Sequence, residues 1–153
     1  WQSWRGEVDS SVALSCHLLT YEELPSSWND KKLEINWKKI LELRDAFLFF
    51  HEKMRNNKQI KSTMEADVYF FLKEKNLKDI AKIENLSEIL ICSNVSFSSV
   101  NDKEFQEFEE NKNILVKIKK IDGYKCPRCW KIFKDKFKNE LCARCEEVVD
   151  ENF

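Results

Sequence analysis

The chain has 153 residues and a mass of 18.3 kDa, long enough to bury a hydrophobic core. Apolar residues make up 42% and charged residues 35%, against typical values of about 45–50% and 25%, which excludes general disorder and describes a globular chain with a heavily charged surface. The 26 basic and 27 acidic side chains nearly cancel to −1, so the distribution of charge says more about partners than its sum.

Several function classes lack their parts. The only glycines are Gly6 and Gly123, so no phosphate-cradling loop of the GxGxxG or GxxxxGK[ST] kind can be written. The only histidines are His17 and His51, with neither a Gly-x-Ser-x-Gly elbow nor a His-Glu-x-x-His pair. No catalytic residue is therefore assigned. No apolar run is long enough to span a membrane. The opening Trp1-Gln2-Ser3-Trp4 has neither an initiator Met nor a signal-peptide pattern, and the chain reads as a piece of a longer protein.

Residues 1–30 are irregular in pattern, with one short alternating run over 12–19 that predicts a strand. From Lys31 to Asn57 there is neither Gly nor Pro, and Leu33, Trp37, Ile40, Leu41, Phe47, Leu48 and Met54 recur at helical spacing behind a capping Asn29 or Asp30. A second stripe, Leu43, Ala46, Phe49 and Phe50, makes the middle of this helix apolar around most of its circumference. Such a helix is expected to pack on both sides, against this chain on one and against an upstream helical bundle on the other. His51 is expected to be a packed, hydrogen-bonded core histidine.

Ser62-Thr63-Met64-Glu65 has the form of a capping box, but the alternation that follows predicts a strand at 66–72. Residues 75–84 read as a short amphipathic helix, 89–95 as a second strand and 114–121 as a third. The acidic stretch 102–110 between the last two reads as a solvated loop or short helix. The fold class is α+β: a long amphipathic helix on a small mixed sheet, then a small treble-clef or ribbon-like module. Gly123 marks the last boundary, giving three parts at 1–61, 62–122 and 123–153.

The strongest chemical signal is a pair of C-x-x-C motifs, Cys126-Pro127-Arg128-Cys129 and Cys142-Ala143-Arg144-Cys145, with twelve residues between them. Two residues between cysteines let both sulfurs reach one ion, and a tetrahedron of four thiolates is the structural zinc arrangement. A catalytic zinc would keep an open position, and here four sulfurs fill the shell. A chain without secretory features disfavours paired disulfides, and a thioredoxin-like redox site uses one such motif in a βαβ setting. One structural Zn²⁺ is expected. The segment after Gly123 has few apolar residues, so the metal should supply most of its folding free energy, about 10–16 kcal/mol in small zinc peptides. Cys16 and Cys92 lie in apolar strand patterns away from the quartet and read as inert buried thiols.

Four thiolates and one divalent cation sum to −2, and nearby cations would stabilise them. Arg128 and Arg144 occupy equivalent positions in the two knuckles. From Lys117 to Cys145 there are ten cations against three anions, interleaved with Tyr124, Trp130, Phe133 and Phe137. Cations beside aromatic faces on a rigid scaffold suit phosphates and unstacked bases. A solvated basic face with a minimal aromatic core is the alternative reading.

The run Gly123-Tyr124-Lys125-Cys126-Pro127-Arg128-Cys129-Trp130, with Leu141-Cys142-Ala143-Arg144-Cys145 behind it, resembles the C-terminal end of the bacterial-type isoleucyl-tRNA synthetase family. Upstream, Trp37 through Leu43-Arg44-Asp45, the segment Arg55-Asn56-Asn57-Lys58-Gln59-Ile60 with Met64-Glu65-Ala66-Asp67-Val68, and Ser11-Val12 are similar to family segments in the same order. The turn Lys61-Ser62-Thr63-Met64 departs from the family pattern, and the HIGH and KMSKS motifs and the editing domain are absent. The resemblance implies a fragment of a cytoplasmic, ATP-dependent isoleucine–tRNA ligase: the tail of the anticodon-binding region, a junction domain and the zinc module. It implies tRNA(Ile) and the remainder of the synthetase as partners. By position it implies Arg128 and Trp130 as the RNA-contacting pair, with Lys125, Lys131 and Arg144 as further phosphate contacts. Arg55 and Lys58 also match, although cations at a helix end also offset its macrodipole. A purely structural zinc domain, and a zinc-finger appendage of a DNA glycosylase, are the rival readings. The latter lacks its helix-two-turn-helix and N-terminal proline.

Overall fold

The computed structural model describes residues 17, 23–74, 80, 83 and 85–150. It divides into two compact units, Trp1–Lys32 and Leu33–Phe153. In the first, a 3₁₀ turn covers Ser26–Trp28. The strand expected at 12–19, and Cys16 within it, lie outside the described residues, as does most of the helix expected at 75–84.

Helix α1 runs over Lys31–Asn56. Asp30 caps it, its Oδ1 accepting the Lys32 backbone N–H at 2.9 Å. It ends in a Schellman turn: Gln59 N–H donates to Met54 O at 3.0 Å and Lys58 N–H to Arg55 O at 2.9 Å, with Lys58 left-handed at φ 57°. The buried positions are Ile40, Leu43, Ala46, Phe47, Phe50 and His51, a single stripe drawn from both of the apolar stripes in the sequence. Trp37 and Leu41 point outward and stay 46% and 40% exposed. His51 is buried beside Phe47, their rings 5.7 Å apart, but its Nε2 meets no hydrogen-bond partner among the described residues.

The capping box closes a 3₁₀ turn at Thr63–Glu65: Ser62 Oγ accepts from Met64 N–H, and the Glu65 carboxylate reaches back to the Lys61 N–H at 3.1 Å. Strand β1 follows at Ala66–Leu72, as the alternation predicts. The next elements correct the sequence reading. Residues 89–95 are not one strand. A short helix α2 occupies Leu86–Ile89, and strand β2 begins only at Asn94, running to Phe97. Leu86 and Leu90 are buried one turn apart, and Ile91 turns left-handed at φ 57° with its side chain 52% exposed. A short apolar run has no period that separates strand from buried helix, which is why Ile89–Cys92 reads equally well either way.

Strand β3, Gln106–Glu107, lies within the acidic stretch expected to be a loop or helix, and strand β4 is Ile114–Lys120. The sheet order is β2-β1-β4-β3, with β2 parallel to β1 and the other pairs antiparallel, so the expected mixed sheet is present. The parallel pair requires the crossover that contains α2. Val68, Phe70 and Leu72 pair with Ile118, Val116 and Ile114 and share one core with the buried stripe of α1. On the opposite face, Asp67 accepts from Tyr69 Oη and from Asn94 Nδ2, both at 2.7 Å, and Lys117 lies over the Phe105 and Tyr69 rings.

The last part contains strands β5, Tyr124–Lys125, and β6, Ile132–Phe133, paired antiparallel, then helix α3, Ala143–Asp150. This hairpin and helix surround a second small core made of the cysteines with Phe133, Phe137 and Leu141. An added Cβ at Gly123 would lie 2.1 Å from Phe133 O, so the strands can close there only on glycine. No described helix is long and apolar enough to cross a membrane.

Candidate metal centre and nucleic-acid face

The hairpin presents Cys126 and Cys129 in the loop between β5 and β6, while Cys142 and Cys145 sit at the start of α3. The loop is closed by two backbone bonds of 2.9 Å, Trp130 N–H to Cys126 O and Cys126 N–H to Lys131 O. All four sulfurs lie within 4.8 Å of one another, with Cys129 and Cys142 at 3.8 Å. A tetrahedron with metal–sulfur bonds of about 2.3 Å has edges of about 3.8 Å, so the quartet is close to the size a single ion requires. Among the described residues it is the group that could hold a metal ion. Cys126, Cys142 and Cys145 are buried and Cys129 is half-buried, with no disulfide between them.

The electrostatics are those of a donor set in need of a cation. Burial pushes the Cys126 thiol up, but backbone N–H groups of Cys129, Cys142 and Arg128 outweigh it and hold the group down at about 6. Burial pushes Cys142 up to about 12, and Cys129 is also raised, chiefly by burial. Burial thus opposes ionisation at Cys129 and Cys142, and a bound cation would offset it. Cys92 is different in kind. It is fully buried outside the quartet, as expected, and burial pushes its thiol up to about 12.

The two knuckle arginines have separate tasks. Arg128 Nη1 donates to Cys145 Sγ across the centre at 3.6 Å, whereas Arg144 Nη1 lies 3.2 Å from Glu88 on α2. Lys131 also turns to α2, with Nζ 3.0 Å from Ser87 Oγ and 3.7 Å from Glu88. Lys125 stays with the hairpin, its Nζ 5.4 Å from the Trp130 ring centroid. Trp130 is 61% exposed and left-handed at φ 65°, a conformation that costs an ordinary side chain roughly 1–2 kcal/mol. The structure thus brings Lys125, Arg128 and Trp130 together on the hairpin loop and directs Lys131 and Arg144 toward the sheet unit.

The basic surplus upstream of the knuckles is partly cancelled. Lys117 pairs with Asp102 at 2.7 Å and Glu104 at 3.4 Å, and Lys119 pairs with Glu104 at 3.0 Å. Hydrogen bonds from these lysines hold the Asp102 and Glu104 carboxyls below their usual range. The acidic stretch therefore neutralises one end of the basic run, a role that its sequence alone did not signal. Arg55 is taken up by Glu52 in a two-pronged pair of 2.8 and 2.7 Å at the end of α1.

No protein-family profile matches the chain. It is 36% identical over 155 aligned residues to an isoleucine–tRNA ligase of Brachyspira hyodysenteriae, a match covering 97% of this chain and 16% of that protein. It is 29% identical over 158 to one of Natranaerobius thermophilus, covering 98% and 17%, and 34% identical over 122 to one of Pelagibacter ubique, covering 80% and 12%. The chain spans about one sixth of the length of the relatives it matches.

Proposed function

From its place among the isoleucine–tRNA ligases, to which its sequence belongs over nearly its whole length, we propose that this chain is an RNA-binding C-terminal part of such an enzyme. The complete protein would be a cytoplasmic ligase that joins isoleucine to tRNA(Ile) at the expense of ATP. This part contributes no catalytic residue. It holds the anticodon side of the tRNA, which sets the distant acceptor end in the active site. The outward Trp37 and Leu41 on α1 offer an apolar face to the remainder of the synthetase, where the upstream helical bundle is expected. In this division, residues 1–61 belong with that bundle, 62–122 form the junction and 123–153 the zinc module.

The ion is a single structural Zn²⁺ held by Cys126, Cys129, Cys142 and Cys145. When bound it supplies charge for the thiolates and rigidity for the loop, and no reaction step. Support comes from a soft, all-sulfur donor set of tetrahedral dimensions.

The observation that carries the RNA reading is Trp130, a large aromatic held in a strained left-handed conformation, 61% exposed, with Lys125 beside its ring. Left-handed non-glycine residues cluster at functional sites, and at Trp130 the strained side chain is a large aromatic with a cation beside it. Trp130 would stack on an unpaired base, and Lys125 and Arg128 would meet its phosphates or base edge. Lys131 and Arg144 are the weaker candidates, because each already faces Glu88.

The test is filter binding of a tRNA(Ile) transcript to the zinc-loaded chain. At saturating zinc, reversing charge at Lys125 and Arg128 should weaken binding while zinc stays at one ion per chain. Unchanged affinity would leave the module a purely structural role.

A further inference from the structure

The two cysteine knuckles are tied to the same carboxylate. Lys131, two residues past Cys129, and Arg144, between Cys142 and Cys145, converge on Glu88 at 3.7 and 3.2 Å. Lys131 is only 15% exposed, and its ammonium also donates to Ser87 Oγ at 3.0 Å, so it is committed to α2 by two partners in a site sheltered from water. One residue further along β6, the Ile132 backbone N–H donates to Ser93 Oγ at 2.7 Å. The Ser93 hydroxyl in turn donates to Met64 O, in the 3₁₀ turn that leads into β1. One path therefore runs from the metal loop through Ser93 to the first central strand, and a second runs from both knuckles to α2.

We infer that Glu88 is a positioning residue: through Lys131 and Arg144 it fixes the four-cysteine module on the sheet unit, so that the Lys125–Trp130 loop faces RNA in one set direction. A module joined only by the chain at Gly123 would swing. Here each half of the metal site sends one cation to a common anion, and the two halves lie on one ion only when both sulfur pairs are in place. Metal loading and orientation are thereby coupled, because losing the ion frees the knuckle that carries Arg144 from the one that carries Lys131. The consequence for RNA rests on the RNA-binding reading above. The fixed orientation does not.

The test uses the zinc-loaded 153-residue chain and its Glu88→Gln variant, with Glu110→Gln as a control that makes the same charge change at an exposed acidic site. Residual dipolar couplings of backbone amides are measured first. In the parent chain one alignment tensor should fit β1, β4 and α3 together; in Glu88→Gln, still holding one zinc ion, α3 should require its own. A single tensor in the variant overturns the clasp. Affinity for a tRNA(Ile) transcript is measured second. Each variant removes one negative charge, so electrostatics alone predicts equal or tighter binding for both. The positioning role predicts that Glu88→Gln binds roughly threefold to tenfold more weakly than Glu110→Gln. Equal or tighter binding by Glu88→Gln would show Lys131 and Arg144 released to grip phosphate, and would overturn the role. Failure of the parent chain to bind RNA contradicts the RNA reading, and the couplings then decide the clasp on their own.

Discussion

Arg128 in the first knuckle donates a hydrogen bond to the sulfur of Cys145 in the second, at 3.6 Å. It is the one side-chain cation that touches a sulfur of the quartet among the described hydrogen bonds, and it is exposed on its outer side. Arg128→Gln should therefore act on two readouts at once. Zinc affinity, measured by chelator competition, should fall roughly tenfold, as for other partners that orient or neutralise metal ligands. RNA binding should weaken even at saturating zinc. Unaltered zinc affinity would mean that the sulfur contact carries no charge compensation.

Trp130 allows stability and recognition to be separated. Trp130→Gly relieves the left-handed backbone, which should stabilise the zinc-bound module by about 0.5–1 kcal/mol in thermal unfolding. The same change removes the proposed stacking platform and should cost about 1–3 kcal/mol of RNA affinity. A variant that lost both stability and affinity would place Trp130 in the core of the module.

Gly123 has no room for a methyl group, since its Cβ position lies against the carbonyl of Phe133. Gly123→Ala should force β5 and β6 apart and destabilise the module by about 1–3 kcal/mol, while the sheet unit is unaffected. Amide exchange resolves the two: residues 124–133 should lose protection, and β1 and β4 should keep it.

Acid should loosen the β3–β4 edge. The Asp102 and Glu104 carboxyls are held below their usual range by hydrogen bonds from Lys117 and Lys119. A lowered carboxyl contributes stability that is complete above its unfolded value and is lost as pH falls through its folded one, so the loss should set in below about pH 4. Lys117→Met should flatten that part of the stability profile against pH. A profile identical to that of the parent chain would mean that the pairs contribute nothing.

Much of this architecture was legible in the sequence, and for definite reasons. Lys31–Asn56 has no breaker, a cap at Asp30 and a repeating apolar stripe, so only its inward face remained open. Strands β1 and β4 are rich in β-branched and aromatic residues and lie at the centre of the sheet, buried along most of their length, so composition and position agree. The cysteine quartet was evident from spacing alone, because two residues between ligands fix a local geometry regardless of the surrounding fold. What failed was short or at an edge. Ile89–Cys92 is apolar without a period, and its direction is set by the left-handed Asn85 and Ile91. Gln106–Glu107 is an edge strand whose charge is the device that protects it, so it looked like a loop. The pairing of Lys131 and Arg144 with Glu88 spans about forty to sixty residues of sequence and depends on how the module docks. No local pattern carries that information.

The proposed role of the module requires that its four sulfurs hold an ion. Native mass spectrometry of the chain purified without chelator measures this directly. One zinc ion per chain, with Cys126, Cys129, Cys142 and Cys145 all recoverable as free thiols after denaturation in chelator, is the predicted result. A metal-free chain whose mass and alkylation pattern show these cysteines joined in disulfides would contradict it.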